Sequence, residues 1–343
     1  MRSSRNISNY LEMTIDDIIS YTNSSLREEK VEGLLAIQFL KPIEGIEILK
    51  NLISKDDDPL IRETAILVLA EYSDIDLHSF LANIYRTYKE RNSFVKARAI
   101  WAISRQPKSD TYEILTKAIF DESPEVRYWA IVGLVNCTEK PLPLAEFEKA
   151  ISTNNHELIR LTIAWAFGMR KEINAVKILT DVLINDKNQH VRINAAWALN
   201  KINYLGAIAG LNYALKNELN SLVKREIAIA LGNILDKNKL ALKEMEEGLS
   251  LENAIKESVT TLTMILQRDS VYFVRRACAE ALGKIQDKDS SETLIGLFAA
   301  EVNQFVRIEI AQTLGTLGDP EALPILQKAM KSHYKNVAKA AAD

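Results

Sequence analysis

The sequence predicts an all-α chain, a right-handed α-solenoid (superhelix) of about nine or ten helical hairpins. Three observations carry that prediction. One pattern recurs: an aliphatic residue, then Arg or Lys, then an apolar residue, most often Ala, three positions on, with a further small residue and a large apolar one following. Successive aliphatic residues stand 34, 31, 33, 32, 32, 51 and 32 positions apart, and steps near 32 with two helical patterns in each are the signature of stacked helical hairpins. The chain also holds only 12 Gly and 8 Pro in 343 residues, too few for a loop-rich β-architecture. A length beyond that of one ordinary core is no obstacle, because each repeat packs only on its neighbours.

In chain order, residues 1–27 read as an N-terminal cap segment and 28–343 as the repeat array. Met1 to Ser25 has two arginines but no continuous apolar core, so it does not read as a secretory signal. A weak first copy starts at Val31-Glu32. Clear copies start at Ile61-Arg62, Val95-Lys96, Val126-Arg127, Ile159-Arg160, Val191-Arg192, Val223-Lys224, Val274-Arg275 and Val306-Arg307, and a shortened one at Val337. Outer helices are expected over Leu77–Glu90, Thr111–Phe120, Ala175–Ile184, Ala207–Lys216 and Glu321–Met330. The connections Asp56-Asp57-Asp58-Pro59 and Glu122-Ser123-Pro124 supply caps for the helices that follow. Small residues three and six positions after the cation let neighbouring helices approach closely. The 51-residue step contains an insertion near 236–255, with Leu240, Leu242, Met245 and Leu249 among Glu244, Glu246 and Glu247. It reads as a longer outer helix or an extra helix, with a lid or docking element as the alternative. Ala340-Ala341-Ala342 ends within a repeat, which is what a piece of a longer chain would show.

Charge narrows the function classes. With 43 Lys and Arg against 46 Asp and Glu, the net charge is −3, and nucleic-acid binding, which rests on neutralising phosphates, is disfavoured. No stretch reaches the ~18 apolar residues of a membrane helix, so a cytoplasmic protein is expected. Cys137 and Cys278 lie far apart in sequence and show neither a zinc spacing nor a disulfide framework, and Cys278 stands where other repeats have Ala or Ile, which predicts a buried thiol.

The repeat, together with Gly318-Asp319-Pro320-Glu321-Ala322-Leu323-Pro324, resembles the HEAT-like repeats named after phycobilisome lyases. The resemblance covers about residues 28 to 343. It is specific for fold and not for activity, since similar units occur in bilin lyases, scaffolding proteins, a hydroxylase and some DNA glycosylases. The hydroxylase holds two irons with several His-Glu pairs; here only His156-Glu157 occurs, so no metal is expected. His78, His190 and His333 read as isolated surface residues. No nucleophile triad, P-loop or dinucleotide glycine motif is present, so neither a catalytic residue nor a cofactor is expected.

Helical geometry separates the faces of each second helix. Counting the Arg or Lys as zero, positions −1, +3, +6 and +7 share one side and +1, +2, +5 and +9 the other. In the family resembled, the latter side lines the concave groove. Its +5 residues are Leu67, Trp101, Val132, Trp165, Trp197, Ile229, Glu280 and Gln312. Six apolar residues in succession, including three of the four tryptophans, predict a binding stripe. Tyr128, Trp129 and Met169 extend it, and Arg98, Arg105, Lys201 and Arg225 edge it. The competing reading is that curvature buries the +5 side chains as packing. The position-zero cations themselves are expected to bond loop carboxylates and carbonyls between repeats. The chain is therefore read as a scaffold gripping a protein or peptide partner between Trp101 and Ile229. A bilin-lyase-like or chromophore-chaperone role, with a linear tetrapyrrole in that groove, is the alternative.

Overall fold

The computed structural model describes residues 8–72, 75–87, 92–106, 108–153, 156–237, 248–331 and 334–342. Among them no strand occurs, and the helices form two compact units, residues 1–162 and 163–343.

The first unit contains α1 (Ser8–Leu11), α2 (Ile15–Thr22), α3 (Arg27–Leu40), α4 (Gly45–Lys55), α5 (Pro59–Leu69), α6 (His78–Arg86), α7 (Ser93–Arg105), α8 (Thr111–Ala118), α9 (Pro124–Asn136) and α10 (Leu144–Thr153). Helix α11 spans Glu157–Arg170. In the second unit follow α12 (Val176–Asn185), α13 (Gln189–Ile202), α14 (Ile208–Asn217), α15 (Ser221–Lys237), α16 (Gly248–Arg268), α17 (Tyr272–Ile285), α18 (Ser291–Ala300), α19 (Gln304–Leu317), α20 (Leu323–Ala329) and α21 (Lys335–Ala342). Each unit is a stack of hairpins. In the first, α4, α6 and α8 pack on α5, α7 and α9, which stack side by side after α3. In the second, α13, α15, α17, α19 and α21 form the inner row, and α12, α14, α16, α18 and α20 pack outside it.

The helix starts follow from their caps. Asp58 accepts the Leu60 N–H at 3.0 Å ahead of Pro59, and Asn92, Ser123, Asn188, Asn220 and Asn303 cap their helices in the same way. Apolar residues at −1, +3 and +7 fill the interior: Ile61, Val95, Val126, Val191, Val223, Val274 and Val306 are all fully buried. Small residues at +6 permit close inner-row contact. A Cβ on Gly232 would stand 2.8 Å from the Ala281 Cα, so only glycine fits there.

The position-zero cations act as the sequence predicts. Arg62 donates to the carbonyls of Asp56 and Asp57, and Arg127 to those of Asp121 and Glu122. Arg192 donates through Nε and Nη2 to Glu218 at 2.7 and 2.9 Å, and Arg275 likewise to Glu301 at 2.8 and 2.9 Å. Lys224 pairs with Asp269 at 2.7 Å. These five cations thus tie their own turn or the next hairpin's turn, while the Arg307 guanidinium lies over the Phe298 ring at 4.8 Å. Burial pushes the Glu218 and Glu301 carboxyls upward. The arginine's hydrogen bonds, backbone N–H groups and the arginine charge together outweigh it and hold both below the usual carboxylate range.

The outer helices fall within the predicted stretches to a residue or two at most ends; Glu90, the expected end of one, lies outside the described residues. Of the insertion near 236–255, residues 248–255 form the first turns of α16, which at 21 residues is longer than the other outer helices. Leu240, Leu242, Met245, Glu244, Glu246 and Glu247 lie outside the described residues. Cys278 is fully buried, and burial pushes its thiol pKa far up.

One sequence expectation is corrected. His78 is not a surface residue but is 4% exposed. It lies at the start of α6, where its Nε2 meets the Thr111 hydroxyl at 2.9 Å and Asp110 at 3.4 Å. The next outer helix covers it, and a buried imidazole is tolerated because that helix supplies a partner. His190 is exposed, and His333 lies outside the described residues.

Candidate functional site

The +5 side chains occupy neither of the two states the helical wheel allows. Leu67, Trp101, Val132, Trp165, Trp197 and Ile229 are all half-buried, flanked by fully buried residues at +3 and +7 of the same helices. Each of these side chains is therefore partly covered and partly open to solvent.

In the first unit, α7 and α9 bring five of the predicted residues together. The Trp101 and Trp129 rings stand 6.3 Å apart at 69°, and Tyr128 meets Trp129 at 5.1 Å and 77°. Edge-to-face pairing at such distances is favourable beyond the area buried. The guanidinium of Arg98 lies 5.4 Å from the Trp101 ring and 6.0 Å from that of Trp129, and Arg105 lies 5.2 Å from Trp101. The two arginines precede and follow Trp101 by one helical turn, which is why both reach the same ring. They differ in one respect. Arg98 also pairs with Glu63 of α5 at 2.7 Å, whereas Arg105 is exposed and has no carboxylate partner among the described residues.

In the second unit, Trp197 rests on the bare backbone of Gly168: a Cβ there would stand 2.7 Å from Trp197 Cζ3. The Lys201 ammonium lies 5.6 Å from the Trp197 ring, repeating the +5 and +9 arrangement of Trp101 and Arg105. Met169 is 51% exposed. Arg225 is exposed, and neither it nor Lys201 has an ion-pair partner among the described residues. Next to Arg225, burial pushes the Glu226 carboxyl upward against the pull of the arginine.

Where Glu280 replaces the aromatic residue at +5, the chemistry changes. Lys284, at +9, pairs with Glu280 at 2.7 Å and reaches Asn233 at 3.0 Å, and Asn233 in turn bonds Asn200 at 3.1 Å. Arg276 pairs with Glu309 at 3.0 Å. Glu280, Lys284, Glu309, Gln312 and Thr316 line a cleft of about 290 Å³ between α17 and α19. The sequence reading missed the amide chain of Asn200 and Asn233, whose only signal is a polar residue at +8 or +9 in adjacent repeats. It also missed the exposed apolar residues of two hairpin turns, Leu219 and Val302, which are 92% and 86% exposed. Among the described residues no group of acidic, His or Cys side chains is arranged to hold a metal ion, and no helix is long and apolar enough to cross a membrane.

No curated protein matches the sequence. Among solved structures, an engineered protein superposes with a TM-score of 0.51 at 18% identity, over 96% of this chain and 98% of that one. Escherichia coli YibA gives a TM-score of 0.45 at 17% identity over 93% and 98% of the two chains. Human deoxyhypusine hydroxylase, in complex with glycerol, gives 0.33 at 17% identity over 82% and 99%. The family model for HEAT repeats matches residues 144–232, 236–314 and 259–343, which together exceed half of the chain. With stacked helical hairpins in both units and that match, the chain belongs to the HEAT-repeat family.

Proposed function

We propose that the chain is a binding scaffold that holds a polypeptide partner on the tryptophan-bearing face of its inner helices. The observation that carries this reading is the cluster of Trp101, Tyr128 and Trp129 in the first unit: half-buried rings, edge to face, capped by guanidinium groups. Rings serving only as packing would be covered like Phe167, which is fully buried on the interior side of its helix. Trp and Tyr held rigidly at a partly wet surface are the side chains most often dominant in protein interfaces. Trp197 with Lys201 and Met169 offers the same chemistry in the second unit.

The test places an aromatic photo-crosslinking amino acid, which keeps a ring at that position, at Trp101, and in a second variant at Lys117, which is exposed on outer helix α8. Under this reading a polypeptide is captured from Trp101 and not from Lys117, and free wild-type chain competes it away. Equal capture at both positions would remove the basis of the reading. A coloured, tryptophan-quenching complex with an added linear tetrapyrrole, in place of a crosslinked polypeptide, would transfer the site to the chromophore-binding alternative.

A further inference from the structure

We infer that the polypeptide held on the tryptophan face of the first unit is acidic and that Arg105 receives its carboxylates; Lys201 offers the same receptor within the second unit. The inference rests on the reading that the tryptophan face binds a polypeptide. It comes from sorting the cations by what they already touch. Five of those at position zero are spent: Arg62, Arg127, Arg192, Lys224 and Arg275 bond turn carbonyls or buried carboxylates. Arg98 is neutralised by Glu63, Arg276 by Glu309 and Lys284 by Glu280. Arg105 and Lys201 have no such partner among the described residues, and both stand four residues after a half-buried tryptophan with their charge over its ring.

That placement suits a carboxylate for a physical reason. The Arg105 guanidinium and the Lys201 ammonium lie 5.2 and 5.6 Å from their ring centroids with no carboxylate partner among the described residues. Their N–H groups therefore remain available to a carboxylate, which a guanidinium can bind in bidentate fashion. The ring also holds the side chain in place, so less rotamer entropy remains to be lost on binding. The same helix turn therefore presents an apolar floor and an anion receptor, which fits a segment combining acidic with apolar or aromatic residues. Nucleic acid fits less well: affinity for phosphate chains grows with the number of cations engaged, and here most cations of the repeat are consumed internally.

The experiment titrates the full chain into three fluorescein-labelled 12-residue synthetic peptides that share leucine and phenylalanine positions and carry Glu, Gln or Lys between them. Fluorescein-labelled oligo(dT) is the fourth probe, and anisotropy is read. The expected result is preferential binding of the Glu peptide, weakened about tenfold by Arg105→Gln, as for loss of one charge-assisted hydrogen bond at a partly exposed site. Arg105→Lys should recover part of the loss, and added salt should weaken the parent more than Arg105→Gln. Equal affinity for the Glu and Gln peptides, with both abolished by Trp101→Ala, overturns the acidic-partner inference and leaves the aromatic reading standing. Binding of no peptide, or peptide binding indifferent to Trp101→Ala, removes the aromatic reading and the inference with it. Tighter binding of oligo(dT) that depends on Arg105 overturns the inference in favour of nucleic acid. Unchanged thermal unfolding of Arg105→Gln checks that the variant is folded.

Discussion

Replacing Arg192 by Met separates the structural cations from the binding ones. The substitution keeps most of the aliphatic stem but removes two hydrogen bonds to Glu218 and one to the Asp186 carbonyl. The side chains of Arg192 and Glu218 are only 16% and 7% exposed, so the carboxylate left behind is largely desolvated. Breaking a fully buried pair costs about 3–5 kcal/mol. Here Glu218 keeps the N–H groups of Leu219 and Asn220 at 2.9 and 2.8 Å, which places the expected cost lower, at about 2–3 kcal/mol. For a unit of this size that is a fall in midpoint of about 5–10 °C, read by circular dichroism. Arg105→Gln, at an exposed position, should cost no more than about 0.5 kcal/mol.

The same variant has a pH signature. In the parent, Glu218 is held below its unfolded pKa, so its contribution is present above the ordinary carboxylate range, near 4.3, and is lost as pH falls through the lower folded value. Without Arg192 the desolvation remains and the lowering contribution of the arginine is gone. The stability gap between parent and variant should therefore be widest near neutrality and narrow on acidification through the carboxylate range. A gap that does not change with pH, or a cost no larger than that of Arg105→Gln, would refute the assignment of position zero to stacking.

Trp101→Ala should cost about 1.5–2.5 kcal/mol in urea denaturation, against about 3–5 for fully buried Phe167→Ala; equal costs would mean that Trp101 is core. Gly168→Ala should destabilise by about 1–3 kcal/mol and alter the near-ultraviolet signal of Trp197, because the added methyl meets that ring at 2.7 Å and the Ala198 Cα at 2.9 Å. Gly315→Ala, within α19 with nothing inside 4 Å of the new methyl, should instead stabilise by about 0.5–1 kcal/mol; the two changes having the same sign would contradict the packing described. In the native chain a thiol reagent should modify Cys137 and leave Cys278, whose burial disfavours the thiolate, untouched until denaturant is added; prompt labelling of both would show that the α17 interior opens readily.

What was legible in the sequence is what one helix decides for itself. Ile61, Ala65 and Leu69 share a face by the 3.6-residue period alone, and the cap at Asp58 with Pro59 marks where that helix begins, so register and hairpin count could be read directly. The Glu280–Lys284 pair is equally local, four residues apart on one helix. What resisted reading depends on a neighbour some thirty residues away. Arg98 meets Glu63 across 35 positions, and His78 is buried because Thr111, 33 positions on, covers it. The tryptophans fall between these cases. Helical arithmetic places Trp197 on the right face, but its half-burial is set by Gly168 of the preceding inner helix, whose missing side chain leaves room for one edge of the ring. A wheel for one helix returns exposed or buried and has no means of returning half.

The net charge of −3 by itself points away from any electrostatic recognition, and the structure explains why that total is a poor guide to a binding face. A repeat protein distributes its charges by position. At position zero Arg192, Lys224 and Arg275 cancel against carboxylates of the next hairpin's turn, while Arg62 and Arg127 are held by carbonyls of their own turns. What a partner meets is the remainder at +1, +2, +5 and +9, and that remainder is not uniform along the array. Beside Trp101 and Trp197 the +9 cations are unpaired among the described residues, although Arg98 is held by Glu63; beside Glu280 and Glu309 the charge is neutralised in place. With so few free cations, charge should orient a bound segment and favour one composition over another. The rings, held rigid by the helices that carry them, should supply most of the affinity, so salt should weaken binding without abolishing it, whereas Trp101→Ala should abolish it.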